Sequence, residues 1–206
     1  GLQRQVHQEV AARKRGATLL FLEHHPVITA GKQAQKTDLL ISEERLKKSN
    51  ITYQQIERGG LLTAHLPGQL VVYPILPLDL LNIGVRRYVY LLEETVLRLL
   101  CDLGLMASRR KAYPGIWLKQ SKVCFIGIRV SQRTSMHGLA LNVNCDLNIF
   151  DLIVPCGIRS CEISCLSAYL KQHVSMSSLI EKFLKIFCET FKLDSFILHK
   201  KNSLKI

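Results

Sequence analysis

The pattern of this chain predicts an α+β fold, a mixed or antiparallel sheet flanked by helices. Three observations carry that expectation. Strand-like apolar runs come in blocks, at 51–56, 61–65 and 70–75 and again at 116–119, 122–130 and 135–144, with turn residues between them. The helical segments stand outside these blocks, so helices and strands do not alternate as in a parallel βαβ array. The 206 residues, 48% of them apolar, are enough for one well-buried core and short for two, which predicts a single domain over 1–206.

In chain order, residues 2–14 read as a helix, 18–22 as an apolar strand, and His24, His25 and Pro26 as a loop. A helix over 42–48 follows, with Ser42 as its N-cap. The next three strands are separated by Arg58-Gly59-Gly60 and by Leu66-Pro67-Gly68-Gln69, both turn chemistry. The longest helix is expected over 86–103, because Val89, Leu92, Val96, Leu99 and Leu103 fall on one face and Gly104 closes it. Strands 122–130 and 135–144 are joined by a short polar loop at Gln132 and Arg133, which predicts an antiparallel hairpin. A last helix is expected over 179–191.

Composition narrows the function. No run of 18 apolar residues exists, since the most hydrophobic stretch, 70–85, is broken by Pro74, Pro77 and Asp79, so no membrane span is expected. The chain begins with Gly, and residues 1–15 are polar and basic and do not read as a secretory signal; a shortened start is expected. Seven cysteines in no paired framework fit a reducing, cytoplasmic setting without disulfides. The net charge of +12 favours an acidic partner. Its basic residues are dispersed, the tightest groups being Arg13–Arg15, Arg109–Lys111 and Lys200–Lys201, and no nucleic-acid-binding signature accompanies them. A solvated basic face or docking of an acidic protein therefore explains the charge better than nucleic acid does.

Cys156 stands in Val154-Pro155-Cys156-Gly157, where proline stiffens the approach and glycine lets the backbone bend, placing a thiol on a turn. A free thiol titrates near about 8.5, so a nucleophilic cysteine needs a nearby cation, whereas a cysteine without one serves as a small core residue. Lys122 is the candidate cation. The two-residue period puts it on one face with Cys124, Ile126, Ile128 and Val130, an inward apolar row, unless the side chain turns out to solvent at the strand end. His137 shares the parity of Leu139, Leu141 and Val143, as a catalytic or a packing residue. The segment from Arg58 to His65 brings an arginine, two glycines and a histidine together as the wall of a narrow pocket. Its spacing fits neither a P-loop nor a dinucleotide fingerprint, so it implies neither ATP nor NAD. Cys156, Cys161 and Cys165 lack paired C-x-x-C spacing, and no metal is expected.

These residues resemble the lipoyl(octanoyl) transferase family. The matching pieces run in order: Leu22-Glu23-His24 with Pro26-Val27; Arg58-Gly59-Gly60 with Thr63 and His65; Pro67-Gly68-Gln69-Leu70-Val71 with Tyr73-Pro74-Ile75; Arg86-Arg87-Tyr88; Gly115 to Trp117; Lys122 with Ile126-Gly127-Ile128-Arg129-Val130; His137 to Asn144; and Pro155-Cys156-Gly157-Ile158. The resemblance implies the biotin/lipoate protein ligase-like catalytic fold. It implies a Cys156/Lys122 dyad in which Cys156 carries the acyl group as a thioester, no cofactor, and an octanoyl or lipoyl group as cargo. The implied donor is octanoyl-acyl carrier protein; the implied acceptors are the lipoyl domains of 2-oxoacid dehydrogenases and the glycine cleavage H protein. The implied acyl pocket is Arg58, Gly59, Gly60, Leu61, Leu62, Thr63, Ala64 and His65; Phe125, Ile126 and Gly127; and Gly138, Leu139 and Ala140. A monomer is expected. Ala64 and Leu66 depart from the family, which usually has an aromatic and a glycine there, and the resemblance leads us to expect that the family's first strand has been cut away ahead of Leu2. The competing readings are an ATP-dependent lipoate protein ligase and a noncatalytic module that binds an acidic carrier.

Overall fold

Strand runs that follow one another in sequence end up in two different sheets. The computed structural model describes residues 1–111, 113–157 and 161–193; Ile158 and the Lys200–Lys201 pair lie outside the described residues. The elements are α1 (Leu2–Ala11), β1 (Thr18–Leu22), β2 (Val27–Ala30), α2 (Glu43–Lys48), β3 (Thr52–Gln55), β4 (Leu62–His65), β5 (Gln69–Ile75), α3 (Val85–Asp102), β6 (Ala107–Arg110), β7 (Tyr113–Leu118), β8 (Ser121–Ser131), β9 (Thr134–Asn142), α4 (Leu166–Leu170) and α5 (Met176–Phe191). The large sheet has the order β1-β5-β9-β8-β7-β6 and is antiparallel throughout; the small one has the order β3-β2-β4, with β2 parallel to β3. This is the expected α+β class.

Local chemistry explains the elements. Ser42 caps α2, its Oγ accepting the Arg45 N–H. At the end of α3 the Gly104 N–H donates to the Cys101 carbonyl and the Leu105 N–H to the Leu100 carbonyl, with Gly104 at φ +76°, a Schellman ending. The β8–β9 hairpin closes through Gln132 and Arg133, both with positive φ, as a two-residue primed turn requires.

Four departures have physical causes. The segment after Pro26, to which the sequence pattern assigns no element, is β2, a four-residue central strand too short to show a period. Leu66–Gly68 is a corner at which the chain leaves the small sheet at His65 and enters the large one at Gln69. The edge strand β6 reads Ala-Ser-Arg-Arg and carries no apolar signal. The first helix also ends early, at Ala11, where Arg13 takes φ +61°.

The two faces of the large sheet differ in residue size. One packs against α3 and α5, burying Leu70, Val72, Leu139 and Leu141 against Leu92, Val96, Leu99, Phe183 and Phe187. On the other, cross-strand pairs align Gly115 with Phe125 and Ala140, and Gly127 with Gly138. Small residues on that face leave room between the sheets. Leu99 is fully buried between α3 and the sheet. Leu99→Ala is therefore expected to cost about 2–5 kcal/mol in urea unfolding, while Met106→Ala, at a side chain 95% exposed, stays within about 0.5 kcal/mol.

Candidate active site

The space between the sheets is a cleft with a small-residue floor and a roof made by β4 and the 58–61 loop. Cys156 sits in a tight turn at Pro155–Gly157 with φ 54° and ψ 21°, left-handed backbone that a non-glycine residue rarely adopts, and Gly157 follows at φ +71°. This turn presents the half-exposed Cys156 thiol to the cleft. Strain of this kind persists only where the surroundings enforce it, and it accumulates at functional sites.

Lys122 Nζ lies 3.4 Å from Cys156 Sγ. Its side chain is fully buried, but not on the face that simple alternation assigns. Ile116 pairs with Cys124 and Trp117 with Lys122, so β8 carries one extra residue, Val123. Ile116 and Trp117 point to opposite sides of β7, and their partners must do the same. The bulge thus turns Lys122 away from Cys124 and onto the face of Phe125 and Gly115. The inward lysine is borne out by the geometry; its shared face with Cys124, Ile126, Ile128 and Val130 is corrected. A Cβ on Gly115, at φ +129°, would lie 2.7 Å from Lys122 Cε, so the absent side chain is what gives the lysine its path. Residues 162–164 clamp its backbone: the Lys122 N–H donates to the Glu162 carbonyl at 2.7 Å, and the Ser164 N–H to the Lys122 carbonyl at 3.1 Å.

The roof is tied to the floor by the Gly59 N–H, which donates to the Ile128 carbonyl. Arg58 reaches over Gly127, where a Cβ would sit 3.0 Å from Arg58 Cδ. Its guanidinium donates to the Gly59 carbonyl and to the carbonyl and Oγ1 of Thr29, while its buried Nε has no partner among the described residues. Among the described residues it has no carboxylate partner; burial lowers its pKa, opposed by the neighbouring Cys156 and Tyr73. Of the sequence-predicted pocket residues, Arg58 to Thr63, His65, Phe125, Gly127, Gly138 and Ala140 line the cleft; Ile126 and Leu139 pack toward the helices on the other face of the sheet, and Ala64 is fully buried among Ile28, Leu66 and Phe125. Leu66 packs in the same cluster, so both family departures fall behind the wall and not on it.

Four side chains form a polar end that the sequence reading undervalued. His24 Nε2 lies 2.8 Å from Tyr73 Oη, His24 and His65 have ring centroids 5.3 Å apart, and Tyr73 meets His137 edge-on. The Gln69 amide NH₂ donates to the Ala64 carbonyl and to Asn142 Oδ1, so its Oε1 accepts from His65 Nδ1 at 2.8 Å. That chain fixes the His65 proton on Nδ1. Burial, with His24 nearby, pushes His65 down to about 3; burial and Arg58 push His137 to about 4. Burial raises Tyr73 to about 12. Spacing gave His24 no role, and only an inward parity, as at His137, signals such residues.

The histidines make stability depend on pH. Below the unfolded value of about 6.5 the unfolded chain takes up a proton that folded His65 refuses until about 3, so stability falls as pH drops through that window. The urea midpoint is expected to fall between pH 7 and pH 4.5, and to fall less in His65→Gln; equal slopes in the two proteins would contradict the assignment.

Comparison with known proteins adds the family. The family model of the lipoyl protein ligase A/B catalytic domain matches residues 1–188. An octanoyltransferase of Roseiflexus sp. strain RS-1 is 43% identical over 196 residues, covering 94% of this chain and 82% of that protein. An octanoyltransferase of Christiangramia forsetii is 43% identical over 181 residues, covering 85% and 77%. Among solved structures, the bi-partite lipoate protein ligase of Thermoplasma acidophilum superposes with a TM-score of 0.71 over 97% of this chain and 84% of that one, at 16% identity, a likeness of fold. With a matching fold, a family match over most of its length and octanoyltransferases as its 40%-identical relatives, the chain belongs to the lipoyl protein ligase A/B catalytic-domain family as an octanoyltransferase.

Proposed function

We propose that the protein transfers an octanoyl group from acyl carrier protein to a lysine of a lipoyl domain through a thioester on Cys156. The observation that carries this is the 3.4 Å contact between a buried lysine ammonium and a strained, cleft-facing cysteine. In the first half-reaction the Cys156 thiolate attacks the donor's thioester carbonyl. The bond to the carrier sulfur breaks, and the departing thiolate takes a proton from Lys122. In the second, the acceptor lysine's amine attacks the Cys156 thioester and passes a proton to the Lys122 amine, and Cys156 leaves as thiolate. Each cycle restores both groups. In this scheme backbone N–H groups near Cys156 hold the oxyanion; in the resting structure the Gly157 N–H donates to the Val154 carbonyl at 3.3 Å.

The acceptor amide needs no ATP in this scheme, because the donor arrives activated as a thioester. An adenylating ligase on the same fold has no need of an acyl-cysteine, so the dyad favours transfer. The cleft floor of Gly115, Gly127, Gly138 and Ala140 suits an extended aliphatic chain; burying about seven CH₂ or CH₃ groups contributes about 5–6 kcal/mol of binding. The +12 charge suits acidic carrier and acceptor domains. Among the described residues no helix is long and apolar enough to cross a membrane. We place the protein in the cytoplasm, where seven free thiols stay reduced.

Intact mass after mixing with octanoyl-acyl carrier protein, without ATP, is expected to show one octanoyl adduct that thiol treatment removes. Cys156→Ser and Lys122→Ala should show none or form it slowly; transfer from free lipoate and ATP that persists in Cys156→Ala would establish the ligase reading instead. In Gly127→Ala the added methyl meets Arg58, and the preferred acyl chain is expected to shorten in competition between donors of different length.

A further inference from the structure

Lys122 is 1% exposed, yet no carboxylate lies within ion-pair distance of it among the described residues. Its hydrogen-bond acceptor is Cys156 Sγ. What surrounds the rest of the ammonium is aromatic: Nζ lies 5.0 Å from the centroid of Phe125 and 5.5 Å from that of Trp117. Trp117 is itself 1% exposed and is the cross-strand partner of Lys122 on the same face. Among the described residues its buried Nε1 has no partner, so no hydrogen bond there explains the ring's position. Arg110 stacks on the same ring at 3.9 Å. Cys124, Cys161 and Cys156 are the titratable groups that interact with Lys122, with Glu93 reaching Cys124 and with Arg110 and Glu162 reaching Cys161.

We propose that Trp117, with Phe125 opposite it, is a positioning residue: an aromatic seat that holds the Lys122 ammonium against Cys156 without neutralising it. The choice of partner matters at the point where the thiolate becomes a thioester. A carboxylate would keep the proton on Lys122 permanently. An aromatic face attracts the cation weakly and carries no charge, so once Cys156 is acylated the ammonium has lost the anion beside it and gives its proton to the departing carrier thiolate. The same seat receives the ammonium again when the acceptor amine is deprotonated. This inference rests on the dyad reading above, and it concerns what holds the dyad together rather than what it transfers.

The chain has one tryptophan, which makes a shape-conserving test available. Mono-, di- and trifluorotryptophan incorporated in place of Trp117 weaken the ring's attraction for a cation in steps while keeping its outline. The readout is the pH midpoint of Cys156 alkylation by iodoacetamide, followed by mass spectrometry of the peptide that carries it. With each added fluorine the midpoint is expected to rise, because a looser ammonium favours the thiolate less, and the single-turnover rate of octanoyl-enzyme formation is expected to fall in parallel. Trp117→Phe should stay near wild type and Trp117→Leu should lie beyond the trifluoro protein. A flat midpoint across the fluorinated series, in proteins with unchanged urea midpoints, would overturn the proposal and leave Trp117 as packing. Alkylation needs no acyl donor, so a graded series in a protein that forms no octanoyl adduct would uphold the seat and refute the transfer reading.

Discussion

The rest of the site depends on a lysine ammonium buried beside a thiol. Removing an ammonium from water costs several kcal/mol even after the protein relaxes, and among the described residues no carboxylate offsets it. Its environment must therefore supply many weak contacts. One hydrogen bond to sulfur contributes about 1 kcal/mol, and a desolvated cation over an aromatic face up to about 2 kcal/mol. Gly115 lets the side chain pass, and the clamp from Glu162 and Ser164 fixes the backbone it hangs from. Each of these features follows from the same requirement, that a charge stay charged where water is excluded.

The β8 bulge shows how much rests on one residue. Without Val123 as the extra position, strict alternation would carry Lys122 to the side of Cys124, into the core packed by α3 and α5. There the ammonium would meet leucines and phenylalanines. With the bulge it meets Trp117, Phe125 and Cys156, all on the cleft side. Bulges commonly re-aim a side chain next to a site, and this one does so for the residue on which the chemistry turns.

Much of this was legible in the residues. The α+β class, the primed hairpin at Gln132–Arg133, the Ser42 cap and the Gly104 ending each rest on local chemistry, and local chemistry survives folding. Gly59 and Gly60 are read from the residues as a wall that a ligand can approach closely, and both line the cleft; Gly127 and Gly138 enter only through the resemblance. The bulge was hidden because nothing in Lys-Val-Cys-Phe distinguishes a bulged strand from a regular one; the partner strand decides it. β2 and β6 were hidden because a four-residue strand shows no period. His24 and Tyr73 come together only because β1 and β5 pair, a long-range event that spacing along the chain does not encode.

One hydrogen-bond chain links the two halves of the cleft. Ser164, whose N–H holds the Lys122 carbonyl, offers its own carbonyl to Asn142 Nδ2; Asn142 Oδ1 accepts from Gln69, and Gln69 Oε1 accepts from His65. Every donor and acceptor in that line points the same way, since reversing any one amide would set two acceptors or two donors face to face. The dyad strand and the roof histidine are thereby held in one frame before any substrate arrives. A frame of that kind spares the acyl chain the entropy of ordering its own pocket, and the binding energy of the chain remains for placing its carbonyl at Cys156. The neutral imidazoles serve the same end: His65 and His137 stay uncharged far below neutral pH, so the polar end orders the cleft without attracting the water and counterions that a charged end would bring beside an aliphatic chain.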